Sequence, residues 1–570
     1  MKIDPLPQNT TQVTLQTVLD RLSADRRSSP TRKRDLRSAL TCFAGLVGQL
    51  PAAIPVDLAA IRQSLDRMVP VRAKISAKRW ANLRSDLAAA IGATGLQPML
   101  KTADVKPDES WSELLTDADK WVRHALSKLS RWATLRGIAP ENVDDGVIDQ
   151  FVAELHTSSL VRNLRYRSGL VRRAWCKLVA QHGGGLRLVA VKPNGRVLKR
   201  IPWQQLPASL EEDVEQYLAW AAVPDPLDAG ARARALSPST LRLQAQHIHS
   251  AASAAMAAGI PIEQLTSLAN LVHPDISRAL LRQLWQQDGR KLSAYTHGIA
   301  ITLTAISAEW VKVPPNTVAT LKNLRSKLGP LPSGLTEKNK ALLLSLDDPR
   351  LKAALVQLPD RLWHAARRAN SHRSFVDLQT ALAIDLLIHV PLRMQNLSPL
   401  KFDVHLHFPQ GPRKPALITI NRDETKTKID LNYELPAALA DRLQAYRNEI
   451  APAVIGRRPN VIFLTNTGRT RSQAATANAI HKAILRYVGI NMTPHQFRHW
   501  CAKIILDHNP GAYELVRQML GHTSLKTTTS FYAGIDTRRA GRAHADLIMQ
   551  LRESKLGRGR HRRTLRPREE

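Results

Sequence analysis

The sequence predicts a mainly helical, multi-domain chain with a small β-sheet in its C-terminal part. Apolar residues recur with helical spacing along most of the 570 residues. Alternation of apolar and polar residues with β-branched side chains occurs at residues 416–421 and 429–435, separated by a polar turn. The length is several times the usual domain size of roughly 100 to 200 residues. Together these observations predict four folded domains and a tail.

Composition indicates an anionic partner. The chain has 82 Lys and Arg against 48 Asp and Glu, a formal charge of +34, and 44% apolar residues, which excludes disorder throughout. The charge is spread over globular sequence, which favours nucleic acid phosphates over a membrane surface. Three distant cysteines, Cys42, Cys176 and Cys501, form no CxxC pair and indicate a reducing compartment without a zinc module. No signal peptide or membrane span is visible in the sequence.

Three helical domains are predicted in order at residues 1–105, 106–200 and 201–330. Each contains a Gly/Pro break followed by a basic helix near a tryptophan. The pattern fits either a weak internal repeat or the short loops of any helical domain. Basic side chains in these segments are the expected DNA contacts: Arg79, Arg84, Arg165, Arg172, Arg290 and Lys291.

A fourth domain is expected at residues 335–556, because the β-hairpin pattern lies within it. A basic tail follows at residues 557–570, which either lies along phosphates or is a solvated charge run. A separate helix is expected at residues 542–551. Two lysines, Lys426 and Lys428, lie on the predicted hairpin turn, and Lys426 is favoured as a mobile proton donor.

Residues 493–532 contain closely spaced polar groups at predicted helix ends. Thr493 is expected to cap a helix whose first residue is Pro494, so that His495 and Arg498, three apart, share one face. A second helix at residues 512–520 should end at Gly521, which leaves His522 just beyond it. His499, His508 and Cys501 are predicted to be ordinary core or surface residues.

A second arginine, Arg393, follows a buried helix upstream, and Tyr532 follows His522 by ten residues. Two guanidiniums can grip the non-bridging oxygens of a phosphodiester and neutralise charge that develops there, so the chemistry needs no metal. A phenol such as Tyr532 is a suitable nucleophile for that phosphorus.

This ordered set resembles the tyrosine recombinase (phage integrase) family over roughly residues 340 to 550. The resemblance implies a catalytic domain of integrase type and places a core-binding domain directly before it. The implied catalytic residues are Arg393, Lys426, His495, Arg498, His522 and Tyr532, with Tyr532 as the nucleophile. The sequence departs from the family at Asn396, where an acidic residue is frequent, and in the spacing of ten between His522 and Tyr532.

The resemblance implies a site-specific DNA recombinase, an integrase or transposase of a mobile element, acting through a 3′-phosphotyrosine intermediate. It implies double-stranded DNA as partner, a homo-tetramer in a synaptic complex with or without partner recombinases, no membrane, no cofactor, and a place in the bacterial cytoplasm on the nucleoid. The helix at residues 542–551 would dock into a neighbouring subunit. Three alternatives stay open: relaxation of DNA in the manner of a type IB topoisomerase, a catalytically silent DNA-binding accessory protein, and an RNA-binding helical-repeat protein.

Overall fold

The computed structural model describes residues 13–26, 28–71, 73, 75–96, 99–100, 102, 104–183, 185–191, 200–228, 230–330, 334–369, 372–409 and 414–559. It divides into two compact units, one formed by Met1–Val189 with Ser333–Glu570 and the other by Ala190–Pro332. Helices dominate both units, and a three-stranded sheet lies in the C-terminal part. The prediction of a mainly helical chain with a small sheet is confirmed. No helix in the described ranges is long and apolar enough to cross a lipid bilayer.

The first hydrophobic core is built by four helices and a single 3-10 turn. They are α1 (Leu15–Ala24), α2 (Pro30–Val47), the turn Pro51–Ala53, α3 (Leu58–Arg67) and α4 (Ala77–Ala93). Helix α2 begins where Ser29 accepts a hydrogen bond from a backbone N–H and Pro30 takes the first helical position. It ends at Gly48, whose φ of 74° is left-handed. These caps leave Phe43 and its apolar neighbours facing α4 in the core.

The second core is rich in tryptophan. Its elements are α5 (Glu109–Thr116), α6 (Lys120–Leu135), the turn Pro140–Asn142, α7 (Asp145–Ser158) and α8 (Leu164–His182). Trp111, Trp132 and Trp175 are buried, and the indole N–H of each donates to an oxygen of the same core. Burial of these rings therefore leaves no unsatisfied donor. Arg62 of α3 donates to two carbonyls at the end of α7, which ties the first core to the second.

The prediction that Arg172 contacts DNA is corrected by its position in this core. Its side chain is 0% exposed, and its guanidinium forms ion pairs with Asp145 and Asp149 of α7. A fully buried arginine needs such partners to offset the loss of hydration. Arg172 therefore joins α8 to α7 and presents no surface to a phosphate.

The unit at Ala190–Pro332 is a separate helical bundle with its own core. It contains the turn Trp203–Gln205, α9 (Ala208–Ala222), α10 (Pro238–Ala257), the turn Ile262–Gln264, α11 (Leu268–Leu271), α12 (Pro274–Gln287), α13 (Ala294–Glu309) and α14 (Pro315–Lys327). Alanines and serines on α10 allow α12 and α13 to pack closely against it.

The C-terminal part has the largest core among the described residues, to which helices and the sheet both contribute. The helices before the sheet are α15 (Glu337–Ser345), α16 (Pro349–Val356), α17 (Leu358–Ala369), α18 (His372–His389), α19 (Met394–Leu397) and α20 (Phe402–His405). Those after it are α21 (Ala437–Ala445), a π-helical turn Tyr446–Ile450, α22 (Ala451–Ile455), α23 (Gln473–Tyr487), α24 (Gln496–His508), α25 (Tyr513–Leu520) and α26 (Leu525–Gly559). Helix α18 is buried along much of its length and contacts α17, α21, α23 and α24.

The sheet contains β1 (Leu406–His407), β2 (Ala416–Ile420) and β3 (Leu431–Leu435) in antiparallel order β1-β2-β3. Ile418 pairs with Leu406 on one side and with Tyr433 on the other. The predicted hairpin is confirmed, and its connection includes the 3-10 turn Arg422–Glu424.

Two expected helix boundaries were wrong. Helix α24 begins at Gln496 rather than at Pro494, because residues 493–495 form tight turns whose carbonyls accept from residues 496–498. The hydroxyl of Thr493 donates to the side chain of Gln496 instead of accepting from the backbone. The helix expected at residues 542–551 is not separate, since it is the distal part of α26. Of the predicted tail, residues 560–570 lie outside the described residues.

Candidate active site

Arg498 on α24 lies at the centre of the candidate site. Its guanidinium donates to the carbonyl oxygens of Pro391, at 2.8 Å, and of Leu520, at 2.6 Å. The side chain is buried, and this burial, followed by the charge of Arg393, lowers the pKa of Arg498 to about 10. Two backbone segments far apart in sequence thus fix its position, while no carboxylate among the described residues pairs with its charge.

Arg393 is the second guanidinium of the site. It precedes α19 at the N-cap position, directly after the buried Leu392. Its Nη1 atom is buried and has no hydrogen-bond partner within the part of the chain that the structure describes. Burial lowers the pKa of Arg393. A buried, unpaired guanidinium N–H beside a second guanidinium is costly without an anion, so the pair forms an anion site.

Gly521 sets the position of His522 at the end of α25. Its φ of 58° is left-handed, and a Cβ atom there would lie 2.7 Å from Cδ2 of Leu431. His522 Nε2 is 3.3 Å from Arg498 Nη2, and Nδ1 is 3.0 Å from the hydroxyl of Thr528. Because a guanidinium can only donate, Nε2 accepts and Nδ1 carries the proton. Burial first, and then Arg498 and Arg393, lower the pKa of His522 to about 4.

His495 belongs to the same electrostatic environment. Burial is the largest cause that lowers the pKa of His495, and the charges of Arg498, Arg393 and Lys426 act in the same direction. His495 and its ring neighbour His499 are therefore neutral near pH 7, because burial and cations disfavour imidazolium. A neutral imidazole can accept a proton from a reacting group.

Lys426 and Lys428 both lie exposed on the turn between β2 and β3. Lys428 has a φ of 53°, and its ammonium donates to the carbonyl of Asp423 at 3.3 Å and lies 3.6 Å from the Asp423 carboxylate. Lys426 forms no ion pair within the described ranges, and its positive charge contributes to the lowered pKa of His495. These contacts favour Lys426 over Lys428 as the lysine of the site.

A hydrogen-bond network holds the base of this turn. The Asn396 amide donates to the carbonyl oxygen of Glu424 at 2.9 Å. His405 accepts from the backbone N–H of Lys401 through Nδ1, so its Nε2 carries the proton and donates to the Glu424 carboxylate at 3.1 Å. Asn396 thus occupies the position where the sequence departs from the resembled family and contacts the lysine turn.

Tyr532 is 2% exposed on α26, and its phenol lies near the charge of Arg498. Its hydroxyl is 3.0 Å from Nδ1 of His499. Burial raises the pKa of Tyr532, and the charge of Arg498 partly opposes this. The structure therefore places the phenol within the field of Arg498 while its hydroxyl is hydrogen-bonded to a histidine.

Sequence reasoning missed His499. It was expected to be an ordinary core or surface residue, and it is indeed buried, but it contacts the predicted nucleophile. Burial, followed by His495 and Arg498, lowers the pKa of His499 to about 4. The only signal in the sequence was its place four residues after His495 in the predicted helix, and that spacing is common.

The basic residues predicted to contact DNA outside this site differ in their surroundings. Arg79 donates to the hydroxyl of Ser38, whereas Arg84 donates to the Leu160 carbonyl and pairs with Asp66. Arg290 and Lys291 are exposed in the bundle at Ala190–Pro332. The side chain of Arg165 lies outside the described residues. Within the described ranges, no group of three His, Cys, Asp or Glu side chains could hold a metal ion.

Residues 360–539 match the model of the phage integrase family. Two curated relatives are the tyrosine recombinases XerC of Bifidobacterium longum subsp. infantis, 39% identical over 80 residues, and of Bifidobacterium longum strain DJO10A, 38% identical over 80 residues. Each match covers 14% of this chain and 22% of the relative, so the chain spans about a fifth of the relatives' length.

Solved structures that this chain matches include two recombinases on DNA. One is the XerH site-specific recombinase bound to palindromic difH substrate in a post-cleavage complex, with TM-score 0.36, 16% identity, and coverage of 79% of this chain and 98% of that chain. The other is a dimer of lambda integrase residues 75–356 bound to a COC′ core site, with TM-score 0.34, 15% identity, and coverage of 56% and 94%.

Proposed function

Residues 360–539 are a domain of the phage integrase family, and from this premise we propose that the chain is a site-specific DNA recombinase. It cleaves and rejoins DNA strands through a 3′-phosphotyrosine intermediate. One observation carries the proposal: two guanidiniums without carboxylate partners among the described residues, Arg393 and Arg498, converge beside the core that contains Tyr532.

Arg393 and Arg498 bind the two non-bridging oxygens of the scissile phosphate. The phosphate gives the unpaired Nη1 of Arg393 an acceptor. Two carbonyl contacts hold the Arg498 guanidinium in position before the phosphate binds. Charge on the oxygens grows in the transition state, so fixed guanidiniums stabilise that state more than the ground state. His522, next to Arg498, donates a further hydrogen bond to a phosphate oxygen in this proposal, which requires its other neutral tautomer, with the proton on Nε2 and Nδ1 accepting from the Thr528 hydroxyl.

The hydroxyl oxygen of Tyr532 attacks phosphorus, and the bond from phosphorus to the 5′-oxygen breaks. His495, held neutral, takes the phenol proton, and Lys426 gives a proton to the departing 5′-oxygen. The phosphodiester energy is kept in the phosphotyrosine, so a 5′-hydroxyl of another strand can reverse the step without ATP. For attack, the hydroxyl exchanges its contact with His499 for the phosphate.

Double-stranded DNA is the partner in this proposal, with four subunits on two duplexes, alone or with partner recombinases, in the bacterial cytoplasm on the nucleoid. The helical regions 1–105, 106–200 and 201–330 are proposed as DNA-binding and accessory domains that precede the catalytic domain at 335–556 in the chain, with the basic tail at 557–570. Arg79, Arg84, Arg165, Arg290 and Lys291 stay proposed as DNA contacts. Light scattering of the protein with and without its target duplex measures the assembly.

A nicked suicide duplex tests the chemistry, because loss of the small cleaved fragment traps the covalent complex. We expect the wild type to form a protein–DNA adduct resistant to denaturation and Tyr532→Phe to form none. The matched controls are Tyr487→Phe and Tyr513→Phe, which remove other phenols and should retain trapping. An equal yield of adduct from the wild type and from Tyr532→Phe would refute the proposal. Sequence-specific binding without any adduct would identify a silent accessory protein instead.

Lysine assignment is tested on the same duplex. Lys426→Ala should slow adduct formation by about a hundredfold or more, as expected when a general acid is removed. Lys428→Ala, an equal change of charge two residues away, should change the rate by less than about threefold. The reverse order would assign the proton donor to Lys428.

A further inference from the structure

Two helices of the second core carry only positive charge. Helix α6 contains Lys120, Arg123, Lys128 and Arg131, and α8 contains five Arg and Lys residues, while neither has an Asp or Glu. Helix α7 has the opposite composition, with Asp145, Asp149 and Glu154 and no Lys or Arg. Helices α6 and α8 pack against each other, and Arg167 of α8 lies close enough to Lys128 of α6 for their charges to interact.

Four acidic residues of this domain are paired with other cations. Asp145 and Asp149 pair with the buried Arg172, which belongs to the core. Glu154 accepts from the Trp132 indole and pairs with Arg136 at the end of α6. Asp119 pairs with Lys177. Other cations of α6 and α8 have no ion pair within the described ranges. Five of them are called here the α6 cationic face: Lys120, Arg123, Lys128, Arg131 and Arg167.

Three members of this face, Lys128, Arg131 and Arg167, have charges or donors that no partner among the described residues compensates. The surrounding protein, followed by the charge of Arg167, lowers the pKa of Lys128. The Nε atom of Arg131 is buried and has no hydrogen-bond partner among the described residues. Like charges in such a position destabilise the unbound domain, and an anion would relieve that cost.

The other two members extend the face along the helix. Lys120 and Arg123 line an open depression together with His124 and Ser127. From Lys120 to Arg131 the cations follow one side of α6 over about 16 Å, at the usual rise of 1.5 Å per residue. The side chains of α6 include no Asn or Gln, which are typical contacts of adenine edges, and a row of Lys and Arg matches the spacing of charges along backbone phosphates.

We propose that the α6 cationic face binds the phosphate backbone of double-stranded DNA, as a site additional to the catalytic residues around Arg498. The proposal rests on the proposed function in taking duplex DNA as the partner. Such a site would let the second helical domain bind DNA independently of sequence. The basic residues of this domain would then serve DNA binding through this face, since Arg172 is buried.

Salt dependence of binding tests the face, because each phosphate contact contributes about 0.9 to the slope of log K against log salt concentration. The full chain is titrated with an 80-bp duplex that lacks a cleavage site. Lys128→Ala/Arg131→Ala/Arg167→Ala should reduce the slope by about 2.7, corresponding to three contacts. Lys106→Ala/Arg136→Ala/Lys177→Ala removes the same charge elsewhere in the domain and should leave the slope within about 0.5 of the wild-type value.

Equal slopes in the two triple variants, or an unchanged slope in the first, would overturn the proposal. Arg131→Lys/Arg167→Lys keeps the charges and should keep the wild-type slope. If the first triple variant fails to fold, as shown by thermal melting, Lys128→Glu alone serves, since this side chain is exposed. Lys128→Glu should reduce the slope by at least about 0.9, and an unchanged slope counts against the face.

Two further measurements distinguish this face from the catalytic site and from a site for RNA. Adduct formation by the first triple variant on a short suicide duplex should equal that of the wild type, since the catalytic residues are intact. Absence of adduct in the wild type together with the expected loss of slope would refute the proposed function and leave the DNA site standing. A larger loss on double-stranded RNA than on DNA would assign the face to RNA and overturn the proposal.

Discussion

Nδ1 of His499 and the hydroxyl of Tyr532 form a buried hydrogen bond of 3.0 Å between α24 and α26. The two residues are 33 positions apart in sequence, and both rings also contact Phe531. The bond satisfies a phenol that would otherwise be buried without a partner. The bond therefore stabilises the site before reaction and fixes the position of the phenol in that state.

A double-mutant cycle measures this bond. His499→Ala and Tyr532→Phe should each destabilise the chain, and the double variant should lose less than the sum of the two single losses. The expected coupling is about 0.5 to 1.5 kcal/mol, the usual net value of such a bond. Urea unfolding monitored by tryptophan fluorescence supplies the four free energies of unfolding. Additive losses would show that the two side chains do not interact in solution.

The neutral histidines predict a dependence of stability on pH. The pKa values of His499 and His522 are about 4 in the folded protein, and an unfolded histidine has a pKa of about 6.5. Unfolding therefore takes up protons between these values, so the free energy of unfolding should fall as the pH falls from about 6.5 towards 4. Above about pH 6.5 this contribution is complete and constant.

Unfolding titrations from pH 4 to pH 8 check this expectation. His522→Asn should reduce the proton uptake near pH 5 by about one proton relative to the wild type. A wild-type curve that is flat between pH 4 and 6.5 would contradict the assignment.

Asn396 is expected to act through the lysine turn. Asn396→Ala removes the bond to the Glu424 carbonyl, and adduct formation should slow by about tenfold, the equivalent of about 1.4 kcal/mol. Asn396→Asp should be similarly slow because a carboxylate cannot donate to that carbonyl, whereas Gln395→Ala, at an exposed neighbour, should be unaffected.

A duplex with sulfur in place of the bridging 5′-oxygen identifies the route of this effect. A thiolate leaves without a proton, so a defect that acts through the lysine should disappear on this duplex. An equal defect on the two duplexes would show that Asn396 acts elsewhere, for example on Arg393.

Gly521 is required for two separate reasons. Gly521→Ala places an alanine at a left-handed φ and drives its Cβ into Leu431. Gly511→Ala is a matched control, since its φ of 85° is also left-handed but nothing lies within 4 Å of the added Cβ. Both should lose about 1 to 2 kcal/mol from backbone strain, and Gly521→Ala about 1 to 3 kcal/mol more from the clash. Urea unfolding gives both values, and adduct formation should fall in Gly521→Ala only. Equal losses would show that Leu431 moves aside at little cost.

Local signals predicted the parts of the fold that depend on neighbouring residues. The hairpin followed from alternation at residues 416–421 and 429–435, and the stop at Gly521 followed from glycine's tolerance of positive φ. The start of α24 was displaced because Gln496 competes for the Thr493 hydroxyl, a choice that helix capping patterns do not specify.

Such local signals did not predict contacts between segments that are distant in the sequence. Arg172 is neutralised by Asp145 and Asp149 of another helix, and His499 meets Tyr532 only after α26 has packed on α24. Pairings of this kind depend on how helices pack in three dimensions, which the residue pattern of a single helix does not encode.

Helix α26 carries Tyr532 near its start and continues without a break to Gly559. The part beyond the phenol is about 40 Å long at 1.5 Å per residue. A continuous helix resists bending, so a sideways force at Leu551 would also act on the other end of the helix. A displacement of the far end would therefore be transmitted to the turn of the helix that carries the phenol.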